Sequence, residues 1–274
     1  MKFAIVDDNK IEAYKGAKGF CQSCGAEMVA KCGEFKINHW AHKKNRQCDT
    51  WWEIETEWHR EWKGYFPIEW QEIIQFDRIT NEKHIADVRT DKGLVVEFQH
   101  SHINPIERRQ REHFYKNMIW VVDGTRLQRD FPRFIKAQKD FVHMDKPKIF
   151  GVEFADECFP KNWLGSSVPV IFDFNGTNTI KNEKNEGTQL YCIFPIQVGW
   201  LTIFAEMPRK TLVKSIIDGE WQTRYQNFIN DLIEHNRLKA QQAKLELERQ
   251  QAQARHEFNR RLLGWKFTGR RRRF

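Results

Sequence analysis

Four of the six cysteines fall in the first 48 residues, beside two histidines, in the order Cys21-x-x-Cys24, His39-x-x-His42 and then Cys48. A Cys-x-x-Cys turn brings two thiolates onto one ion, and a second pair returning after a short hairpin, here Met28 to Ile37, completes a tetrahedron around Zn²⁺. Five ligands compete for four places. Cys21, Cys24 and His42 are expected to bind, His39 and Cys48 contend for the fourth position, and Cys32 falls in the hairpin. With every coordination place filled by protein, such a site is structural.

A second constellation lies downstream: Asp87, then Glu97-Phe98-Gln99 after ten residues. On a strand Glu97 and Gln99 project to one face while Val96 and Phe98 project to the other. Asp87, in the preceding strand Ile85-Ala86-Asp87-Val88, then reaches the same point as Glu97. Paired carboxylates on adjacent strands suit a hard Mg²⁺ or Mn²⁺ ion that keeps waters for use as nucleophile. Upstream, Glu55, His59 and Lys63 stand at i, i+4 and i+8 and predict a polar helical stripe bordering that site.

The elements that must position these groups follow from periodicity. Residues 1–15 alternate around Phe3, Ile5, Ile11 and Ala13 with Asp7-Asp8-Asn9 between, which predicts a hairpin. Trp51, Ile54, Trp58, Trp62 and Tyr65 predict a helix from about Thr50 to Tyr65 with a heavy aromatic stripe. Strands are expected at Ile68 to Phe76, His84 to Arg89 and Leu94 to Gln99, then a helix opened by Pro105 and running to Met118, then the strand Ile119 to Val122. The fold class is α/β (α+β). Four regions are expected: a zinc-binding module over 1–49, a core over 50–146, additional β structure over 147–218, and a basic helical tail over 219–274.

The net charge is +8, and from Gly219 to Phe274 there are 13 Lys and Arg against 6 Asp and Glu, so the tail holds almost all of it. A segment of that kind, ending in Arg270-Arg271-Arg272-Arg273, is the electrostatic handle for a polyanion. The same long helix is also a candidate surface for a protein partner or for self-association. A 40% apolar content excludes a disordered chain. No apolar run approaches the roughly 20 residues needed to cross a bilayer, and MKFAIVDDNK lacks a secretory apolar segment, so the expected compartment is the cytoplasm.

Taken in order, Cys-x-x-Cys, HWAH, ExxxHxxxK (Glu55, His59, Lys63), HIADVR, VEFQHSHI, ERRQREHFY and IWVVDG resemble the competence protein CoiA family and its phage-borne and mobile-element relatives. The resemblance covers roughly Phe3 to Gly124. It implies a restriction-endonuclease-like PD-(D/E)xK core of order αβββαβ, with Asp87 and Glu97 as metal-binding acids and Gln99 where many relatives have lysine. Glu55, His59 and Lys63 match the family's first helix, and Arg108, Arg111 and Tyr115 its second, a nucleic-acid-facing one. The expected activity is metal-dependent phosphodiester hydrolysis, with DNA as partner, in DNA processing, recombination or anti-phage defence. Glu55, Asp87 and Glu97 would gather the ion, Gln99 orient water or phosphate, His59 or the ion deprotonate water, and Lys63 or Arg111 stabilise charge. The competing expectation is a catalytically silent DNA-binding accessory factor.

Overall fold

The alternation at the start of the chain yields β1 (Phe3–Val6) and β2 (Asn9–Glu12), paired antiparallel from Phe3↔Glu12 to Val6↔Asn9. Asp7 and Asp8 turn between them at φ of 48° and 63°, the left-handed pair that a tight hairpin turn requires and that Asp tolerates better than most residues. This computed structural model describes residues 1–34, 36–44, 48–77, 80–174 and 189–268. The chain divides into two units, Met1–Gln222 and Thr223–Phe274. In the first, β3 (Lys18–Phe20), β4 (Glu27–Lys31) and β5 (His39–His42) complete a five-stranded sheet of order β2-β1-β3-β4-β5. Ala4, Cys21, Met28 and Trp40 fill a small core of its own.

The helix expected from Thr50 is shorter than its aromatic periodicity suggests. Residues 50–56 are not helical, and α1 spans only Glu57–Lys63. Thr56 stops it from starting earlier, because its hydroxyl caps the His59 N–H while the His59 imidazole accepts from the Thr56 N–H, a reciprocal box with histidine in the place usual for Glu or Gln. Trp58 and Trp62 are buried on this short helix, whereas Trp51 lies outside it, stacked on His84 with centroids 3.2 Å apart.

Then follow β6 (Gln71–Phe76), β7 (Lys83–Arg89) and β8 (Val95–Gln99) as an antiparallel meander, α2 (Pro105–Tyr115), and β9 (Met118–Asp123) parallel to β8. The order helix, three strands, helix, strand is the one expected. Asn104 caps α2 by accepting from Ile106 N–H, with Pro105 behind it where a missing N–H costs nothing. The rest of the unit contains α3 (Asp130–Ala137), β10 (Val142–His143), β11 (Ile149–Val152), α4 (Ala155–Cys158), β12 (Val170–Asp173), β13 (Gln189–Val198), β14 (Leu201–Pro208) and α5 (Arg209–Ile217). The strands β11 to β14 extend the core sheet. β12 lies parallel to β9 in the register Val170↔Trp120, giving nine strands in the order β10-β11-β14-β13-β12-β9-β8-β7-β6. Every residue of β9 and β12 is buried, as central parallel strands covered on both faces must be. A 48-residue helix, α6 (Trp221–Thr268), carries the chain into the second unit, and no helix among the described residues is long and apolar enough to cross a membrane.

One buried carboxylate fastens α1 and α5 to this sheet. Asp173, fully buried at the end of β12, accepts from Trp58 Nε1 at 3.2 Å, Trp62 Nε1 at 3.1 Å and Arg209 Nη2 at 2.7 Å. Asp173→Ala leaves the Arg209 guanidinium buried and uncompensated, which costs about 3–5 kcal/mol. Denaturant unfolding should show a loss of that size, and a smaller one for Asp173→Asn, whose amide oxygen still accepts. A change within experimental error would show that α1 is held by packing alone.

Candidate metal centre and acidic pocket

The thiolate cluster forms where the module's strands end. Cys21 follows β3, Gly25 at φ 70° closes the turn by donating its N–H to the Cys21 carbonyl, and His42 ends β5. The ligand atoms of Cys21, Cys24, His42 and Cys48 all lie within 4.8 Å of one another. Cys21 Sγ and Cys48 Sγ are 3.7 Å apart, and Cys24 Sγ and His42 Nε2 are 3.4 Å apart. A tetrahedron with Zn–S bonds of about 2.3 Å has edges of about 3.8 Å, so the four groups are placed to hold Zn²⁺. Burial, reinforced by the neighbouring Cys21, pushes the Cys48 thiol up to about 12, a penalty that a cation at this point reverses. Cys48 takes the contested fourth place. His39 does not join the cluster: three residues from His42 on a strand, it faces the opposite side, and its Nδ1 donates to the Ile37 carbonyl at 2.9 Å.

Asp87 and Glu97 meet as their strands imply, and the strands part to let them. The ladder between β7 and β8 pairs Arg89↔Val95 and Val88↔Val96. At the next position side chains take over: Glu97 Oε1 accepts from Asp87 N–H at 3.1 Å and Asp87 Oδ2 accepts from Phe98 N–H at 3.0 Å. Lys63 Nζ donates to Asp87 Oδ1 at 2.9 Å, Glu55 Oε1 at 3.2 Å and Glu72 Oε1 at 3.5 Å. Glu97 Oε2 receives Arg111 Nη1 at 3.2 Å. These groups line one cavity of about 360 Å³, walled on its other side by Met1, Met28 and Trp40 to His42 of the N-terminal sheet.

Six carboxylates, Asp49, Glu53, Glu55, Glu72, Asp87 and Glu97, thus line the cavity with the cationic side chains of Lys63 and Arg111. Burial, and after it the proximity of Asp87, raises Glu97 to about 8 despite Arg111. Burial alone would discharge Lys63, yet Asp87, Glu55 and Glu72 together hold its pKa well above the ordinary lysine value. Burial likewise opposes ionisation of Glu55, but Lys63 and Arg60 outweigh it and lower its pKa. Burial and Asp87 thus favour a proton on Glu97, which a cation bound in the pocket would displace.

Other expected residues fall differently. Glu55 precedes α1 and belongs to no helical stripe, yet its carboxylate still reaches Lys63. His59 lines the cavity, but Nδ1 is engaged with Thr56 and Nε2 lies 2.6 Å from Glu53 Oε1 and 3.0 Å from the Phe98 carbonyl. Gln99 Nε2 donates to Glu53 Oε2 at 2.8 Å, and its Oε1 is buried without a partner. Arg111 and Tyr115 line the pocket. Arg108 is corrected from a nucleic-acid contact to a core residue: it is 2% exposed and donates to Glu112 Oε1 at 2.5 Å and the Gly165 carbonyl at 3.2 Å. The cause is rotation along α2, which turns residue 108 inward onto a carboxylate that also accepts from Trp120, Ser166 and Ser167. Arg270 to Arg273 lie outside the described residues. Three acids of the pocket, Asp49, Glu53 and Glu72, were not expected from the sequence. Glu53 had a signal, the two-residue spacing from Glu55 that an extended segment would align. Glu72 had none, since its carboxylate is recruited by the Lys2 and Phe3 amides 69 and 70 residues away.

Residues 4–50 match the family model for the N-terminal domain of competence protein CoiA. Over 143 residues the chain is 28% identical to competence protein CoiA of Bacillus subtilis (strain 168), a span covering 48% of this chain and 38% of that protein. Both findings support the CoiA-like family resemblance read from the motifs. No solved structure matches the chain.

Protein purified without chelator should carry one Zn²⁺ per chain by elemental analysis. His39→Ala should keep it, whereas Cys48→Ser should weaken or lose it; the reverse pattern would reinstate His39 as fourth ligand. A second outcome concerns pH. Glu97 titrates near 8 in the fold, above the roughly 4.3 of an unfolded chain. The folded state therefore holds the extra proton between those values, and its stabilising contribution, complete below about pH 4, drains away as pH rises to about 8. Urea unfolding without divalent ions should show Glu97→Gln gaining on the parent across that window; parallel profiles would mean that Glu97 is ionised throughout.

Proposed function

We propose that this CoiA-like chain is a metal-dependent nuclease that hydrolyses DNA, built on a PD-(D/E)xK core of the restriction-endonuclease-like kind. The carrying observation is the cavity in which Glu55, Glu72, Asp87 and Glu97 outnumber Lys63 and Arg111, and where burial, together with that excess, raises the Glu97 carboxyl. That surplus of oxygen ligands fits a hard divalent ion. The order α1, β6 to β8, α2, β9 agrees with the expected core. Asp87, Glu97 and Glu55 would hold Mg²⁺ or Mn²⁺, which lowers the pKa of a bound water and neutralises phosphate charge.

The chain's own groups then divide the remaining work. Lys63 places a permanent positive charge beside Asp87, where charge develops on a scissile phosphate. Arg111 holds Glu97 and sets its direction. Gln99 stands where a lysine is common and supplies orientation but no charge. His59 is committed at both ring nitrogens, so activation of water falls to the ion. Affinity comes from the basic segment after Gly219 through counterion release. The similar protein is named a competence protein, and in this reading the reaction belongs to DNA processing, with recombination and anti-phage defence as kindred settings, in the cytoplasm, and with Zn²⁺ as a structural partner.

A second reading has its own support. The Lys63 ammonium already fills the space among three carboxylates, and Gln99 cannot replace the usual lysine, as suits a catalytically silent DNA-binding accessory factor. Cleavage assays with Mg²⁺ or Mn²⁺ on single-stranded, duplex and branched DNA and on RNA separate the two. Asp87→Ala and Glu97→Ala should each lower cutting by at least about a hundredfold, with binding retained. An inert parent, or acid variants that cut like it, would leave the accessory role.

A further inference from the structure

The segment joining the two candidate metal sites has a regular design. From Cys48 the chain makes a turn at residues 49–52, closed by Trp52 N–H donating to the Asp49 carbonyl at 3.4 Å, then runs non-helical to Thr56, and burial alternates along it from Asp49 to Glu55. Asp49 is buried, accepting from His84 Nδ1 at 2.9 Å, Ile85 N–H at 2.8 Å and Trp51 N–H at 3.0 Å. The Trp51 carbonyl accepts from Arg111 Nη2 at 2.6 Å. Glu53 takes His59 Nε2 on one oxygen and Gln99 Nε2 and Ser101 Oγ on the other. Glu55 takes Lys63 on one oxygen and Arg60 on the other. Between them, among the described residues, the segment exposes Trp52 and Ile54, at 45% and 68%. It is a strap, tied at one end by the Thr56 cap and at the other by Cys48.

We propose that Zn²⁺ at Cys21, Cys24, His42 and Cys48 fastens this strap across the carboxylate pocket, so that the pocket's affinity for a divalent ion depends on zinc loading. The inference rests on the reading that the pocket binds such an ion. Cys48 is the ligand farthest along the chain from the module's sheet and stands next to Asp49. When zinc leaves, the strap loses its Cys48 tie, and its near end rests on the Asp49 hydrogen bonds and the Trp51 carbonyl. Glu53 is a positioning residue here: it bears on Arg111, Gln99 and His59 and supplies no group to the reaction. Disturbing groups that orient metal ligands from behind lowers affinity about 10–100-fold.

The test uses the full chain, zinc-loaded and zinc-depleted, with Mn²⁺ as the probe. Mn²⁺ affinity by electron paramagnetic resonance should fall at least about tenfold on zinc removal, and amides 49–55 should exchange hydrogen faster. Asp49→Ala keeps all four zinc ligands, so it separates the strap from folding of the module: one zinc per chain should remain while Mn²⁺ affinity falls and exchange in the strap rises. Unchanged Mn²⁺ affinity in either zinc-depleted protein or zinc-loaded Asp49→Ala overturns the proposal. If the zinc-loaded parent binds no Mn²⁺, the nuclease reading falls instead, and exchange decides the strap: acceleration confined to 49–55 upholds zinc as its fastener, and unchanged protection refutes it.

Discussion

A buried ammonium cannot stand alone, and the placement of Lys63 among Glu55, Glu72 and Asp87 is the constraint on which the rest of the unit depends. Each partner comes from a different piece of chain: Glu55 from the strap, Glu72 from β6, Asp87 from β7. Satisfying one charge therefore fixes how the helix, the sheet and the segment before the helix meet. Glu72 extends the hold to the N-terminal sheet by accepting the Lys2 and Phe3 amides, and it does so at φ 47°, a backbone state that an L residue keeps only where its surroundings insist. Asp173 holds the same helix from behind through Trp58 and Trp62. Lys63 is thus fixed from both sides before any ligand arrives.

The two candidate metal sites divide by chemistry. Three sulfurs and one imidazole at tetrahedral edge lengths form a closed, soft set suited to zinc, whereas the clustered carboxylates of the pocket offer oxygen ligands and suit a hard ion that retains water. They share a wall. His42 belongs to the thiolate cluster and also lines the acidic cavity, as does Cys48. A module that looks separable along the chain is in this respect one side of the pocket, which explains why a residue as early as Met1 lines a cavity whose acids lie at 49 to 97.

Much of this architecture was legible in the residues. The hairpin at Asp7-Asp8, the meander and parallel strand, α2 opening at Pro105, the pairing of Asp87 with Glu97 and the Cys-x-x-Cys turn all follow from rules acting within a few residues: strand alternation, cap chemistry and turn conformation. Those rules failed where a local pattern had two physical readings. Trp51, Ile54, Trp58 and Trp62 satisfy a helical period, but Thr56 and His59 form a cap that outweighs it, and the stretch before becomes a strap with period two. Arg108 and Arg111 look alike on a charged helix, yet one meets Glu112 in the core and the other meets Glu97 in the pocket.

What the sequence determined by itself was which residue types were available and which local faces they shared. Tertiary structure decided which were brought together: Cys48 rather than His39 with the other cluster residues, Asp49, Glu53 and Glu72 beside the expected acids, and Arg111 without Arg108. The reason is physical. A ligand set or a buried ion pair is completed by groups that return to one point from distant stretches of chain, and nothing within a few residues of Glu72 encodes that the amides of Lys2 and Phe3 will be there to receive it.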